Sequence, residues 1–178
     1  MDETIPSGRP APRTGALCPR GRRSRSTKRT ADGRDVIDID NYIPYFLVSV
    51  NNPLSRGASQ YYLRAFGIGI VEWRVLSMLA DKPRIPASTI CSVISLDKGA
   101  TSRALNRLDR AGYLVHEARG RDPRKKVWWL NQAGYDLHDR VLEVALERER
   151  DLISGVDPDD LEAFLRVMRI MRRNVDHL

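Results

Sequence analysis

The chain has 178 residues and a formal net charge of +7, a length that suits one domain with a real core plus extensions. It has no apolar run near the roughly 18–20 residues that span a bilayer, and its N-terminus lacks the apolar stretch of a secretory signal. Its two cysteines, Cys18 and Cys91, supply neither a disulfide framework nor a metal spacing. The expected protein is cytoplasmic, with no membrane partner.

The charge is uneven along the chain. Residues 1–35 hold nine cations (Arg9, Arg13, Arg20, Arg22, Arg23, Arg25, Lys28, Arg29 and Arg34) against Asp2, Glu3, Asp32 and Asp35. They lack hydrophobic periodicity and are rich in Pro, Gly, Ser and Thr, so they read as a disordered basic tail. The tail is either a solvated segment or a source of non-specific attraction to phosphate. An upstream start codon chosen in error is a third account. The remaining residues carry 21 cations and 19 acids. Their basicity is local, which argues for a defined docking face.

Order is expected from about Ile37. Asn41 can cap a helix whose first turn takes Pro44, with Ile43, Phe46, Leu47 and Val50 at helical spacing. Asn51-Asn52-Pro53 is expected to bend or break it. A second segment, Leu54 to Ala65, is stopped by Gly67 and Gly69, and an apolar helix follows from Ile70 to Leu79. Lys82 to Pro86 reads as a short extended link.

Next comes a helix-turn-helix. Ile90, Cys91 and Ile94 face inward on its first helix, and Ser95-Leu96 makes the turn. Asp97 caps a second helix that ends near Arg110, with Gly112 just beyond. Tyr113–Glu117 and Val127–Leu130 read as two strands. The loop between them runs Arg119-Gly120-Arg121-Asp122-Pro123-Arg124-Lys125-Lys126, five cations against one acid. A helix thin enough for the major groove, beside a cationic hairpin, is the hardware of sequence-specific duplex DNA binding. Asn131 starts a long helix to about Ser154. Asp157, Pro158 and the acids after them start the last one. Its stripe of Leu161, Phe164, Leu165, Met168 and Met171 is too apolar to face water, so these residues predict a dimer interface.

Taken together, these stretches resemble the MarR family of bacterial regulators. The residues that carry the likeness are Val71-Glu72-Trp73-Arg74-Val75-Leu76, Asp97 to Leu108, Arg110-Ala111-Gly112-Tyr113-Leu114, and Asp122-Pro123-Arg124 through Leu130-Asn131-Gln132-Ala133-Gly134. The resemblance covers about residues 37–178. It implies a mainly α fold (α+β, winged helix-turn-helix), with a two-stranded wing on a lobe at 70–130 and dimerisation helices at 36–69 and 131–178. It also implies a homodimer on a pseudo-palindromic operator, usually as a repressor, and an effector cleft between dimer region and DNA-binding lobe. The stretch Phe66 to Arg74 is similar to that of regulators of aromatic-acid catabolism, so the effector expected is a small aromatic acid or its CoA thioester.

Roles follow residue by residue. Lys98, Thr101, Ser102, Arg103, Asn106 and Arg107 are the recognition-helix candidates, with Arg103 suited to guanine and Asn106 to adenine. In the wing, Arg124 is the candidate for the minor groove, Arg119, Arg121, Lys125 and Lys126 for phosphates, and Asp122 for bracing the loop. Tyr45, Phe46, Tyr61, Tyr62, Arg64, Phe66, Trp73 and Arg74 are the effector candidates. The chain shows no nucleophile elbow, phosphate-binding glycine loop or zinc motif, so no enzyme, cofactor or metal is expected. Two alternatives stand beside this reading: a non-specific architectural DNA binder working through the tail, and a redox-sensing regulator using Cys18.

Overall fold

The computed structural model describes residues 24–94, 96–118 and 126–178. The chain divides into two compact units after Leu54. No helix of the described residues is long and apolar enough to cross a membrane.

In the first unit, Thr27–Arg29 (β1) and Asp35–Ile37 (β2) pair antiparallel, with Thr27 opposite Ile37. Gly33, at φ 82°, donates its N–H to the Thr30 carbonyl at 2.9 Å and closes the hairpin. This corrects the reading of residues 1–35 as a tail without order. Asp32-Gly33 is a hairpin turn signal, obscured in the sequence because each strand has three residues, all exposed. Residues 1–23, Cys18 among them, lie outside the described residues. Asn41 precedes the next helix at the end of a short turn. It closes a 3-10 turn, Ile39–Asn41, by donating to Asp38 Oδ2 at 2.7 Å. That hydrogen bond holds the Asp38 carboxyl below its ordinary range.

Helix α1 runs unbroken over Ile43–Phe66, with Pro53 inside it. Of the bend or break expected at Asn51-Asn52-Pro53, the break does not occur. A proline costs an interior helix about 3 kcal/mol through one lost N–H donor and a steric clash, and a helix of 24 residues absorbs that local loss.

The second unit holds the core. Helix α2 (Ile70–Asp81) leads through β3 (Ile85–Pro86) to α3 (Ala87–Ile94) and α4 (Lys98–Arg110). Strands β4 (Leu114–Ala118) and β5 (Lys126–Leu130) follow, then α5 (Gln132–Leu152) and α6 (Pro158–Val175). The antiparallel sheet has the order β3-β5-β4, with Ile85 opposite Trp128 and His116 opposite the same residue from the other side. Val75, Leu76 and Leu79 of α2 meet Ile90, Leu105, Leu108, Trp128, Leu130, Leu137 and Val141 in one buried cluster. Each such side chain contributes roughly 1.5–3 kcal/mol. The link expected at residues 82–86 thus ends in a strand that edges the wing.

Asn131 fixes α5. Its Oδ1 accepts from Gly134 N at 2.9 Å, and its Nδ2 donates to the Gly112 carbonyl at 2.8 Å. Gly134 itself lies so close to the preceding chain that a Cβ there would sit 2.3 Å from the Tyr113 carbonyl oxygen. Helix α5 is thereby seated on the turn that ends α4. Helix α6 starts as expected, with Asp157 Oδ1 accepting from Asp159 N at 2.8 Å. Unlike α2 to α5, it buries no residue.

Candidate nucleic-acid interface

Helix α4 begins where its sequence says it should. Asp97 accepts from Ala100 N at 2.8 Å. That hydrogen bond, together with the nearby Arg103 charge, draws the Asp97 carboxyl below its ordinary value. The helix then divides cleanly. Ala104, Leu105 and Leu108 are buried in the core, while Lys98, Ser102, Arg103, Asn106, Arg107 and Arg110 stay exposed. Arg103 curls back over Gly99, its Nη1 3.1 Å from where a Cβ would stand on that glycine. Gly99 lies inside the first turn, since the helix starts at Lys98 and not later. At the other end Gly112, at φ 79°, lets the chain reverse, and Tyr113 N bonds the Leu108 carbonyl at 3.0 Å.

Two of the recognition-helix candidates do something else. Thr101 is 1% exposed. Its hydroxyl donates to the Asp97 carbonyl at 3.1 Å and lies 3.2 Å from Cys91 Sγ on α3. It locks α3 to α4 and does not face outward. The sequence put it among polar neighbours, but its position is three residues before Ala104, on the buried stripe. Arg107 turns toward the lobe, and its Nη1 is 3.1 Å from Glu72 Oε1. The Glu72 side chain is only 8% exposed, and its other oxygen accepts from Gly69 N at 3.0 Å at the start of α2. One carboxylate therefore closes the first turn of α2 and holds α4. A Glu three residues after an N-cap is half of a capping-box signal; the link to Arg107 had none.

Of the wing candidates, only Lys126 is among the described residues; Arg119, Arg121, Asp122, Arg124 and Lys125 lie outside them. Lys126 Nζ sits 3.3 Å from His116 Nε2 and 5.4 Å above the Trp128 ring. His116 packs edge-on to Trp128 at 4.7 Å, and its Nε2 is 3.7 Å from Asp109 of α4. The base of the wing is thus joined to the C-terminal half of α4. What this arrangement presents outward is a helix of donors and cations with a two-stranded arm beside it.

Comparison with known proteins points the same way. The MarR family profile matches residues 66–125. A MarR/EmrR family transcriptional regulator from Acinetobacter sp. ADP1 superposes with a TM-score of 0.73 at 27% identity, over 80% of this chain and all of the other. The fold is the winged helix-turn-helix seen in MarR structures. An uncharacterized HTH-type transcriptional regulator of Bacillus subtilis, YwoH, is 25% identical over 61% of this chain and 78% of its own. A mutant MarR from E. coli, crystallised with operator DNA, shares the fold, with a TM-score of 0.64 at 20% identity over 72% of this chain and 92% of its own. The likeness is thus to MarR-family transcriptional regulators, and α4 lies within the matched residues.

The effector candidates are less unified. Tyr45 and Phe46 are exposed on the first unit. In the second, Tyr62 is buried, and burial pushes its hydroxyl pKa up. It packs edge-on to Trp73 at 6.1 Å, and Trp73 stacks on His138 of α5 at 5.4 Å. Tyr62 and Trp73 therefore build the α1–α2–α5 junction. Tyr61 and Arg64 are exposed. Arg74 borders a cleft of about 390 Å³ between α2 and α3, and Phe66 borders another of about 440 Å³ beside Arg107 and Arg110. A third cleft, about 320 Å³, lies on the other side of the Glu72–Arg107 pair against Ala100 and Arg103. The eight residues are thus divided among exposed positions (Tyr45, Phe46, Tyr61 and Arg64), packing (Tyr62 and Trp73) and separate clefts (Phe66 and Arg74). Sequence periodicity missed Glu72, Arg110 and the clefts, because each depends on where α2 and α4 meet.

Proposed function

We propose that this MarR-type regulator works as a homodimer on a pseudo-palindromic operator, as a repressor that a small aromatic acid or its CoA thioester releases. The carrying observation is the contrast of exposed faces: α4 presents cations, and α6 presents Phe164, Leu165, Val167 and Ile170. Leu161, Met168 and Met171 of the same helix are only half-buried. Ile43, Phe46, Leu47 and Val50 of the first unit are exposed as well. A second copy would cover these faces, with residues 36–69 and 131–178 as the dimerisation region and 70–130 as the DNA-binding lobe. A two-fold pair then places two α4 helices about one turn of duplex apart. The E. coli relative bound to operator DNA supports this reading.

In the operator, Arg103 and Asn106 are assigned to base edges and Lys98 and Ser102 to phosphates. Arg124 of the wing is assigned to the minor groove, and the other wing cations to phosphates. The effector reading draws on the clefts of about 320 and 440 Å³ against α4, where apolar walls stand beside Arg103, Arg107 and Arg110. Such a ligand shifts the protein only by its difference in affinity between the two conformations.

The test is a titration at about 150 mM salt, a condition that matters because phosphate contacts are salt-sensitive. Promoter DNA adjoining the protein's own gene is compared with a scrambled duplex. Preference for the promoter, carried by a dimer and weakened by Arg124→Ala, supports the operator reading. Equal affinity for both, lost on deleting residues 1–35, supports an architectural binder instead. The ligand is tested by melting with aromatic acids and their CoA esters. Saturation at 100-fold above Kd stabilises by about 2.7 kcal/mol.

A further inference from the structure

We propose that Arg84 is a positioning residue for the wing, a clamp that fixes the angle between the wing and the helix-turn-helix. The proposal rests on the reading that the wing touches DNA. Arg84 stands immediately before β3, at φ 60°, and among the described residues it is the one non-glycine with positive φ. Its guanidinium lies 4.2 Å from the ring centroid of Trp129 on β5. Its Nη1 then reaches Glu117 Oε1 on β4 at 2.8 Å.

The strand order β3-β5-β4 gives these distances their meaning. One side chain starts at the edge strand, passes over the central strand and ends on the far one. Glu117 and Trp129 share a face of the sheet, because Leu114, His116, Trp128 and Leu130 take the core-facing register. The Glu117–Val127 pair is one step before Ala118–Lys126, where the described part of the wing ends. The clamp therefore grips the wing close to its loop. Strand β3 continues directly into α3, so a clamp rooted there refers the wing to the helix-turn-helix itself. On the opposite face, His116 and Lys126 tie the wing to α4. The wing is held from both sides.

The clamp is poorly suited to stabilising the fold. Both partners are more than half exposed, at 60% and 54%, and exposed ion pairs contribute little. The left-handed backbone at Arg84 is unfavourable for any residue with a Cβ. What remains is orientation. A planar guanidinium can lie flat on an indole and pair with a carboxylate at once; an ammonium group cannot do both.

The experiment uses the full-length protein and a fluorescent duplex of the promoter adjoining its gene, with thermal melting in parallel. Arg84→Gly removes the clamp and eases the backbone. It is expected to bind roughly ten-fold more weakly while melting at or above the wild-type temperature. Arg84→Lys and Glu117→Gln are expected to fall between it and wild type. Adding Arg124→Ala to Arg84→Gly is expected to cost little beyond the worse single variant, because both act through the same wing. Wild-type binding by Arg84→Gly overturns the proposal, as does a melting temperature that falls in step with affinity. Tighter binding by Glu117→Gln does so too, since it would make Arg84 a direct phosphate contact. So do losses at Arg84 and Arg124 that simply multiply. If Arg124→Ala alone binds like wild type, the wing reading itself fails, and the clamp falls with it.

Discussion

Helices α4 and α6 are both strongly amphipathic, yet they use the chain differently. Ala104, Leu105 and Leu108 of α4 are almost wholly buried, so its apolar side is satisfied within one copy and only its donors and cations remain outside. Phe164 of α6 is 53% exposed, and the helix buries no residue. The same sequence pattern therefore leaves a covered apolar side in one place and an uncovered one in the other. What tells them apart is the character of the face left over, cationic on α4 and apolar on α6, and those faces suit DNA and a second copy respectively.

Phe164→Asp is the largest way to break the comparison. If α6 is covered by its counterpart, the substitution buries one unpaired charge per copy, at about 3–5 kcal/mol each. The expected protein sediments as a monomer with unchanged helix content by circular dichroism. Its promoter affinity falls at least a hundred-fold, since one half-site is lost. A variant that still sediments as a dimer would remove α6 from the interface.

Gly134→Ala tests the closed side. The new Cβ would stand 2.3 Å from the backbone oxygen of Tyr113, and a backbone oxygen does not rotate away. Overpacking of this kind costs roughly 1–3 kcal/mol, occasionally more, so the melting temperature is expected to drop by several degrees. A melting point within a degree of wild type would show that α5 is seated loosely on the turn after α4.

Two neighbours on α4 sharpen the contrast within one helix. Arg103→Ala is expected to weaken promoter binding by about 1–3 kcal/mol with little change in thermal stability. Thr101→Val should do the reverse: about 1 kcal/mol less stable from a lost hydroxyl hydrogen bond, with promoter affinity nearly unchanged. Affinity loss at Thr101→Val without destabilisation would return that residue to the DNA face.

The sequence was most legible where a local rule decides. Asp97, Asn131 and Asp157 cap the helices they were expected to cap, and Gly112 takes the left-handed turn. These are signals within three or four residues. Pro53 and the Asp32-Gly33 hairpin were misread because length and pairing, not propensity, settled them. Thr101 was misassigned by residue type where helical phase would have placed it inside. Glu72–Arg107 and the Arg84 clamp join residues 35 and 33 positions apart. No periodicity reports such a pair, because it exists only after α2, α4 and the sheet have packed.

The smallest effect concerns the start of α4. Asp97 has its carboxyl lowered from 3.8 chiefly by the Ala100 amide, with the Arg103 charge contributing. A depressed folded pKa means stability that is complete above the unfolded value and lost as pH falls through the folded one. Asp97→Asn keeps an N-cap acceptor but cannot titrate. Melting both proteins from about pH 7 down to about pH 2.5 should therefore show a small deficit in the variant at neutral pH that closes only below 3.8. Other carboxylates titrate in both proteins and cancel in the difference. A deficit that stays constant to the acid end would mean that the cap works by shape alone. In the Arg103→Ala background the window should move upward, toward 3.8, because one of the charges favouring the anion is gone. That coupling would place Arg103 beside Asp97 in solution, at the N-terminal end of α4.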